Sequence, residues 1–384
     1  MRRSLLMLAA ILAAVALSPA LEAQIGKRVT IAANSPEDKA LAEINAAGDP
    51  AKKLALIDKF LAEFGQGDMA VVAYELYISY YQAEKNYDKV YEYGEKLLGV
   101  DPDNFPAVVN MVRAAQEKGD TAKMFAAGER ASGILARFKA QPAPAGTDAD
   151  SWEQQKARAL EDTKDNINYV QYSLLNAAYK TSDKAAQPAL LERFAAAFPD
   201  SPYATSALAL AATSYQQAQK YPKMLEVAQK ILARDANNLN MLLLLSDYYS
   251  ERGEELDRAE GYAKKAIELL PTAPKPEGAT DEQWQKQIPI QKGLAWSALG
   301  QVQINRKRDA QALEAFRTAA PLLKPDPYTY ARNQYRMGFA LLNLKRVAEA
   351  RAALTEAAAI ESPYRGLAQE KLKNLPAGSA KKRP

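Results

Sequence analysis

The sequence contains neither cysteine nor histidine. This double absence excludes disulfides, structural zinc, a histidine general base and a cysteine nucleophile. It also leaves no thiol to carry a lipid anchor. β-Branched residues are sparse, which disfavours extended sheet. No glycine-rich phosphate loop follows a strand pattern, and no metal-ligand spacing occurs. Neither sign of charge dominates. The formal net charge is +4 with both signs interspersed, too weak and too spread for a nucleic-acid surface. Acidic neighbours such as Glu254 with Glu255, and Glu161 with Asp162, point to different helix faces and do not converge. The expectation is a protein without catalytic residues, metal or cofactor.

What the chain does contain is alanine, leucine, glutamate, lysine and glutamine, residues that lose little rotamer freedom in a helix. Composition therefore points to an all-α fold. The one long apolar run, 5–17, follows Arg2 and Arg3 and precedes Pro19. It is too short to span a bilayer, and small residues suitable for cleavage follow it. Residues 1–23 read as a secretory signal cut after Ala20 or Ala23, and 24–33 as a polar leader. The mature chain is then expected in the periplasm or outside the cell, without a transmembrane span. Peripheral association with the envelope is the expected form of any membrane contact.

A period near 34 residues organises the rest. Tyr74, Tyr77, Ile78 and Tyr81 form an apolar stripe at helical spacing; Asn86-Tyr87-Asp88 makes a turn; Val90, Gly94 and Leu97 face back. Further copies start at Gly293 (Trp296, Leu299, Gly300, then Ala312, Phe316, Ala319), Ala331, Leu239 and Thr205. Copies near Phe105, Asn168 and Asn34 are weaker. Ser35, Asp49, Ser201, Asp326 and Ser362 each precede proline and are expected to cap a helix that starts there. A final amphipathic helix, 362–376, runs through Leu372 and Leu375, and 377–384 is a basic tail.

A longer period lies above this one. Phe64 and Phe198, Tyr81 and Tyr215, and Gly119 and Gly253 all share one 134-residue offset. Proline/glycine loops at 141–150 and 272–283 divide the chain into repeat blocks 34–140, 151–271 and 284–361. Each loop leads to a tryptophan, Trp152 or Trp284, and Ser151-x-x-Gln154 and Thr280-x-x-Gln283 read as capping boxes. Two readings stay open for these indoles: packing that seals a core edge, or anchors for a partner.

The W-x2-L-G and A-x3-F-x2-A positions at Trp296, Leu299, Gly300, Ala312, Phe316 and Ala319 resemble the tetratricopeptide repeat (TPR). The resemblance covers nearly all of 34–376, and Gln303 departs from it where an aromatic is usual. It implies a right-handed α-solenoid of stacked antiparallel helix pairs, a TPR superhelix, that binds a protein or peptide in the groove lined by each first helix. By position the groove takes in Glu75, Ser79, Gln82, Asn110, Arg113 and Gln116. Further along come Thr213, Gln216, Gln217, Asp247, Ser297, Gln301, Asn305, Arg332, Tyr335, Arg336 and Phe339. The set needed for a carboxylate clamp is missing, but Asn110 with Arg113, and Arg332 with Arg336, suggest anion contacts. The segment 198–204, FPDSPYA, resembles exported bacterial TPR proteins, among them outer-membrane assembly lipoproteins and periplasmic cell-division coordinators. A non-catalytic envelope scaffold is the expectation. The alternatives are a polysaccharide-export or glycan-associated protein and, further off, a glycan-cleaving enzyme.

Overall fold

The computed structural model describes residues 23–276 and 279–376. The expected signal (all but its last residue) and basic tail therefore lie outside the described residues. Among those described there is no strand and no helix long and apolar enough to cross a membrane.

Eighteen α-helices follow one another among the described residues. They are α1 (Pro36–Ala46), α2 (Pro50–Phe64), α3 (Met69–Ala83), α4 (Tyr87–Val100), α5 (Phe105–Lys118) and α6 (Thr121–Ala140), then α7 (Ala149–Asp162), α8 (Lys164–Lys180), α9 (Gln187–Ala197), α10 (Ala204–Gln217), α11 (Tyr221–Arg234) and α12 (Leu239–Arg252). The last six are α13 (Leu256–Leu269), α14 (Asp281–Asn305), α15 (Asp309–Leu323), α16 (Pro327–Asn343), α17 (Val347–Ala359) and α18 (Pro363–Lys373). The chain forms two compact units, 1–182 with 193–201, and 183–192 with 202–384. The division falls within α9, and both proline/glycine loops lie inside a unit.

The short period is visible in the turns. Lys85, Gly119, Gln219, Gly253, Lys307 and Lys345 all have positive φ, and each follows the first helix of a pair. A left-handed residue reverses the chain with the least length, so the second helix runs back along the first. Glycine supplies this conformation without strain at 119 and 253. The extra residue before Ala259 appears as left-handed Glu255 at the start of α13. Neighbouring pairs then bury apolar faces against each other, in contacts such as Val90, Leu97 and Ala107, or Ala312, Phe316 and Ala340. Each fully buried leucine or phenylalanine contributes about 1.5–3 kcal/mol.

Close approach of helices rests on small residues. A Cβ at Gly94 would meet Met111 of the next pair at 2.6 Å, and one at Gly128, a repeat later, would meet Leu174 at 2.4 Å. Gly300 faces the buried ring of Phe316 in the same way, and Gly338 faces Leu354. The last described helix, α18, packs Ala368 and Leu372, with Leu375 just beyond it, against Leu354 and Ala357.

Most expected caps are present. Ser35, Asp49 and Asp326 accept hydrogen bonds from the backbone N–H groups of Asp38, Lys52 and Thr329. Thr280 and Gln283 form the reciprocal capping box of α14. Ser201 does not cap. The helix there begins only at Ala204, and the Ser201 hydroxyl donates to Gln171 Oε1 instead, at 2.8 Å. Ser362 stands before α18 but its hydroxyl makes no cap bond. Nor does Ser151 open its helix. Asp148 does so three residues earlier and accepts from the Ser151 N–H.

The polar leader is docked along the first unit. The Lys27 backbone N–H donates to Asp101 Oδ2 at 3.0 Å, its ammonium pairs with Asp68 at 2.9 Å, and Val29 packs on the Val71–Ile78 cluster.

Candidate ligand groove

In the first unit the loop 141–150 leads into α7, whose Trp152 is 2% exposed. Its indole N–H donates to the Gln141 carbonyl at 3.1 Å. The buried ammonium of Lys156 donates to the carbonyls of Lys139 and Gln141, at 2.7 and 3.1 Å. Both side chains thus satisfy carbonyls left open at the end of α6. In the second unit, Trp284 is buried at the corresponding place in α14. There the helix continues where α7 and α8 are broken at Thr163, although Pro289 lies inside it. Of the two readings open for these indoles, core packing is the one realised. Neither ring is free to anchor a partner, because each is enclosed by its own unit. Trp152→Phe is expected to cost about 2–3 kcal/mol, of which about 1 is the neutral hydrogen bond and the rest the volume vacated by the indole at a fully buried site. Urea unfolding followed by circular dichroism measures it, and a loss under a few tenths of a kcal/mol would show the indole N–H to be idle.

Of the remaining first-unit candidates, Asn110, Arg113 and Gln116 gather around one tyrosine, while Glu75 accepts from Asn104 at 3.4 Å. Arg113 donates to Asn110 Oδ1 at 3.4 Å, and its guanidinium carbon lies 5.3 Å from the Tyr169 ring centroid. The Tyr169 hydroxyl donates to Gln116 Oε1 at 3.3 Å. Asn110, Arg113 and Gln116 are thus joined through Tyr169 into a cluster bridging α5 and α8.

In the second unit the first helices of the pairs enclose a cavity of about 620 Å³. Thr213, Gln216, Asp247 and Arg332, all expected in the groove, line it. So do Leu210, Leu243, Leu244, Ile290 and Leu294, which the sequence reading left out, and the amides Asn240, Gln287 and Gln291. Helices α10, α12 and α14 supply most of this wall, and Asp326 and Arg332 at the start of α16 complete it.

One end of the cavity is held by ions. Arg332 Nη1 donates to Asp247 Oδ2 at 2.9 Å. Arg336 pairs with Glu251 and donates to the hydroxyl of Ser297 at 3.1 Å. Ser297 is small and buried on α14, so the two arginines of α16 reach past that helix to the two carboxylates of α12. Burial works against the charge of Asp247. The guanidiniums of Arg332 and Arg336 outweigh it and hold the carboxyl below the ordinary aspartate range. Arg332 and Arg336, expected at an anionic ligand, pair in the structure with the chain's own carboxylates Asp247 and Glu251. Glu251 was missed, although a signal existed. Asp247 and Glu251 stand four residues apart on one helix, as Arg332 and Arg336 do on another, so each pair shares a face.

The other candidates lie beside this cluster. Asn305 donates to the Ser250 carbonyl at 2.6 Å and accepts from Gln301 at 3.4 Å. Tyr335 packs against Tyr364 with ring centroids 5.8 Å apart. Neither group lines the cavity.

No protein-family model and no curated protein sequence matches the chain. Solved structures do. The chain is similar to the Cut9–Hcn1 hetero-tetramer of the APC/C, with 13% identity over 88% of this chain and a TM-score of 0.42. It spans 62% of that chain, less than two thirds. It is also similar to TTC0263, a thermophilic TPR protein of Thermus thermophilus, with 18% identity over 53% of this chain and 97% of that one and a TM-score of 0.33. A third similarity is to yeast Tom70, with 11% identity over 88% and 94% of the two chains and a TM-score of 0.35. With its antiparallel helix pairs, left-handed turns one repeat apart and glycines where neighbouring pairs meet, the chain has the all-α fold of a tetratricopeptide-repeat protein.

Proposed function

We propose that this protein is a non-catalytic scaffold of the bacterial periplasm or cell envelope, and that it holds a segment of another protein in the cavity of its second unit. One observation carries the reading: a cavity of about 620 Å³ whose leucine and isoleucine walls are bordered by four neutral amides, the hydroxyls of Ser206 and Thr213, and at one end Asp247, Asp326 and Arg332. Ligand pockets commonly measure about 300–1,000 Å³ and combine apolar walls with a few placed polar groups. Leu210, Leu243 and Leu294 would cover apolar side chains of the segment. Gln216, Asn240 and Gln287 can both donate to and accept from its backbone. The run 5–17 after Arg2 and Arg3 supports export.

A photo-crosslinking amino acid at Gln216, in the full chain expressed in a bacterium, is expected to capture one predominant protein. Thr213→Trp, which fills the cavity, is expected to abolish that capture while circular dichroism stays unchanged. Fractionation is expected to place the protein outside the cytoplasm. Capture that persists in Thr213→Trp sinks the groove assignment, and retention in the cytoplasm sinks the location.

A further inference from the structure

Resting on that reading of the cavity, we infer that the bound segment presents a lysine or arginine side chain to Asp247. The ion cluster is layered. Its guanidiniums lie deepest, with the side chains of Arg332 and Arg336 10% and 5% exposed, while those of Asp247 and Glu251 are 27% and 42% exposed. Asp247 lines the cavity beside Arg332 and is the more exposed of that pair, while Glu251 lies outside the lining. The one buried guanidinium N–H of the cluster without a partner, Nε of Arg332, is sealed inside the protein, beyond the reach of an entering anion.

The charges facing this end, counted by helix, agree. Helix α12 brings Asp247 and Glu251, and α16 brings Arg332 and Arg336 with Asp326 at its cap. The cavity-lining residues of α10 and α14 are uncharged. The balance is one negative charge, and Asp326 is the carboxylate that no arginine of the cluster answers. Asp247 accepts one hydrogen bond, from Arg332 at Oδ2; its Oδ1 is sealed in the protein as Arg332 Nε is, so the acceptor capacity open to the cavity is the remaining lone pair of Oδ2. An ammonium or guanidinium arriving along the leucine wall would find acceptor capacity at Asp247 and a second carboxylate at Asp326. A glutamate in its place would face both carboxylates, with the neutral amides of the lining as its main donors.

The test uses the full chain and a panel of capped, fluorescein-labelled nonapeptides rich in leucine and serine. Their central residue is lysine, arginine, glutamine, norleucine or glutamate. Binding by fluorescence anisotropy is expected to favour lysine and arginine over glutamine and norleucine by about tenfold, with glutamate weakest. The preference is expected to shrink in half-molar salt, because the carboxylates are partly exposed. Asp247→Asn is expected to bring the lysine and glutamine peptides within about twofold of each other. Asp326→Asn is the variant that keeps the fold whatever Asp247→Asn does, since asparagine caps a helix as well as aspartate. It is expected to reduce the lysine preference by about threefold. Peptides that bind, are displaced in Thr213→Trp and are indifferent to the central residue, or prefer glutamate, overturn this inference alone. Peptides that fail to bind, or that bind Thr213→Trp undiminished, overturn the cavity assignment itself.

Discussion

Arg336→Met is expected to lower the unfolding free energy by about 3 kcal/mol, the low end of what removal of one member of a buried ion pair costs. Arg336 is 5% exposed, and its loss leaves Glu251 and the Ser297 hydroxyl without their donor and removes one of the two guanidiniums beside Asp247, which keeps its bond from Arg332. Glu251 can turn toward water, which keeps the cost near the lower end of that range. Arg336→Met with Glu251→Leu is expected to recover at least half, since an apolar pair avoids desolvating two charges. The pH dependence has a definite sign. Asp247 titrates below its ordinary value when folded. The stability it confers is therefore complete above an unfolded-state pKa of about 4 and disappears as pH falls through the lower folded value. The gap between wild type and Arg336→Met should narrow below about pH 4. Urea titrations at about pH 7, above that window, and at about pH 3, below the unfolded-state value, decide the matter. A gap under about 1 kcal/mol, or one equal at both pH values, would mean that the cluster does not hold α12 to α16.

How much of this could be read beforehand depended on range along the chain. Features set by neighbouring residues were legible. Gly119 and Gly253 mark the same left-handed turn because only the local backbone decides it. Asp49 and Asp326 cap where expected because a cap needs only the next three residues. Ser201 fails for a matching reason. Its rival partner, Gln171, is thirty residues away and invisible to a local rule. The candidate groove divided the same way. Thr213, Gln216, Asp247 and Arg332 were placed by repeat phase, and they do share one cavity. The fate of the arginines was not legible from phase. It depends on α16 reaching past α14, which a small buried side chain at Ser297 permits. Trp152 and Trp284 were undecided because the path of a proline/glycine loop, rather than any helix periodicity, determines whether the following indole turns inward.

The glycines at which neighbouring helices meet make the sharpest test of the stacking itself. Gly300→Val is expected to cost about 3 kcal/mol, and Gly94→Val no more than about half of that. The two start from similar geometry. A Cβ at Gly300 would stand 2.5 Å from Phe316, and one at Gly94 2.6 Å from Met111. What differs is whether the neighbour can yield. Phe316 is a rigid ring, fully buried and enclosed by Ala312 and Ala340, so α14 and α15 must part or the ring must leave its rotamer. Met111 is also buried, but three rotatable bonds and a polarisable sulfur let it refill a changed space. Helix propensity works in the same direction at both sites, since valine is a better helix former than glycine by a few tenths of a kcal/mol, so it cannot create the contrast. Adding Phe316→Leu to Gly300→Val should restore part of the loss, a non-additive rescue expected only of residues in direct contact. Equal costs at the two sites, or no rescue, would mean that the glycines are dispensable to the approach of the helices. The stacking of pairs, and the cavity that it encloses in the second unit, would then need another cause.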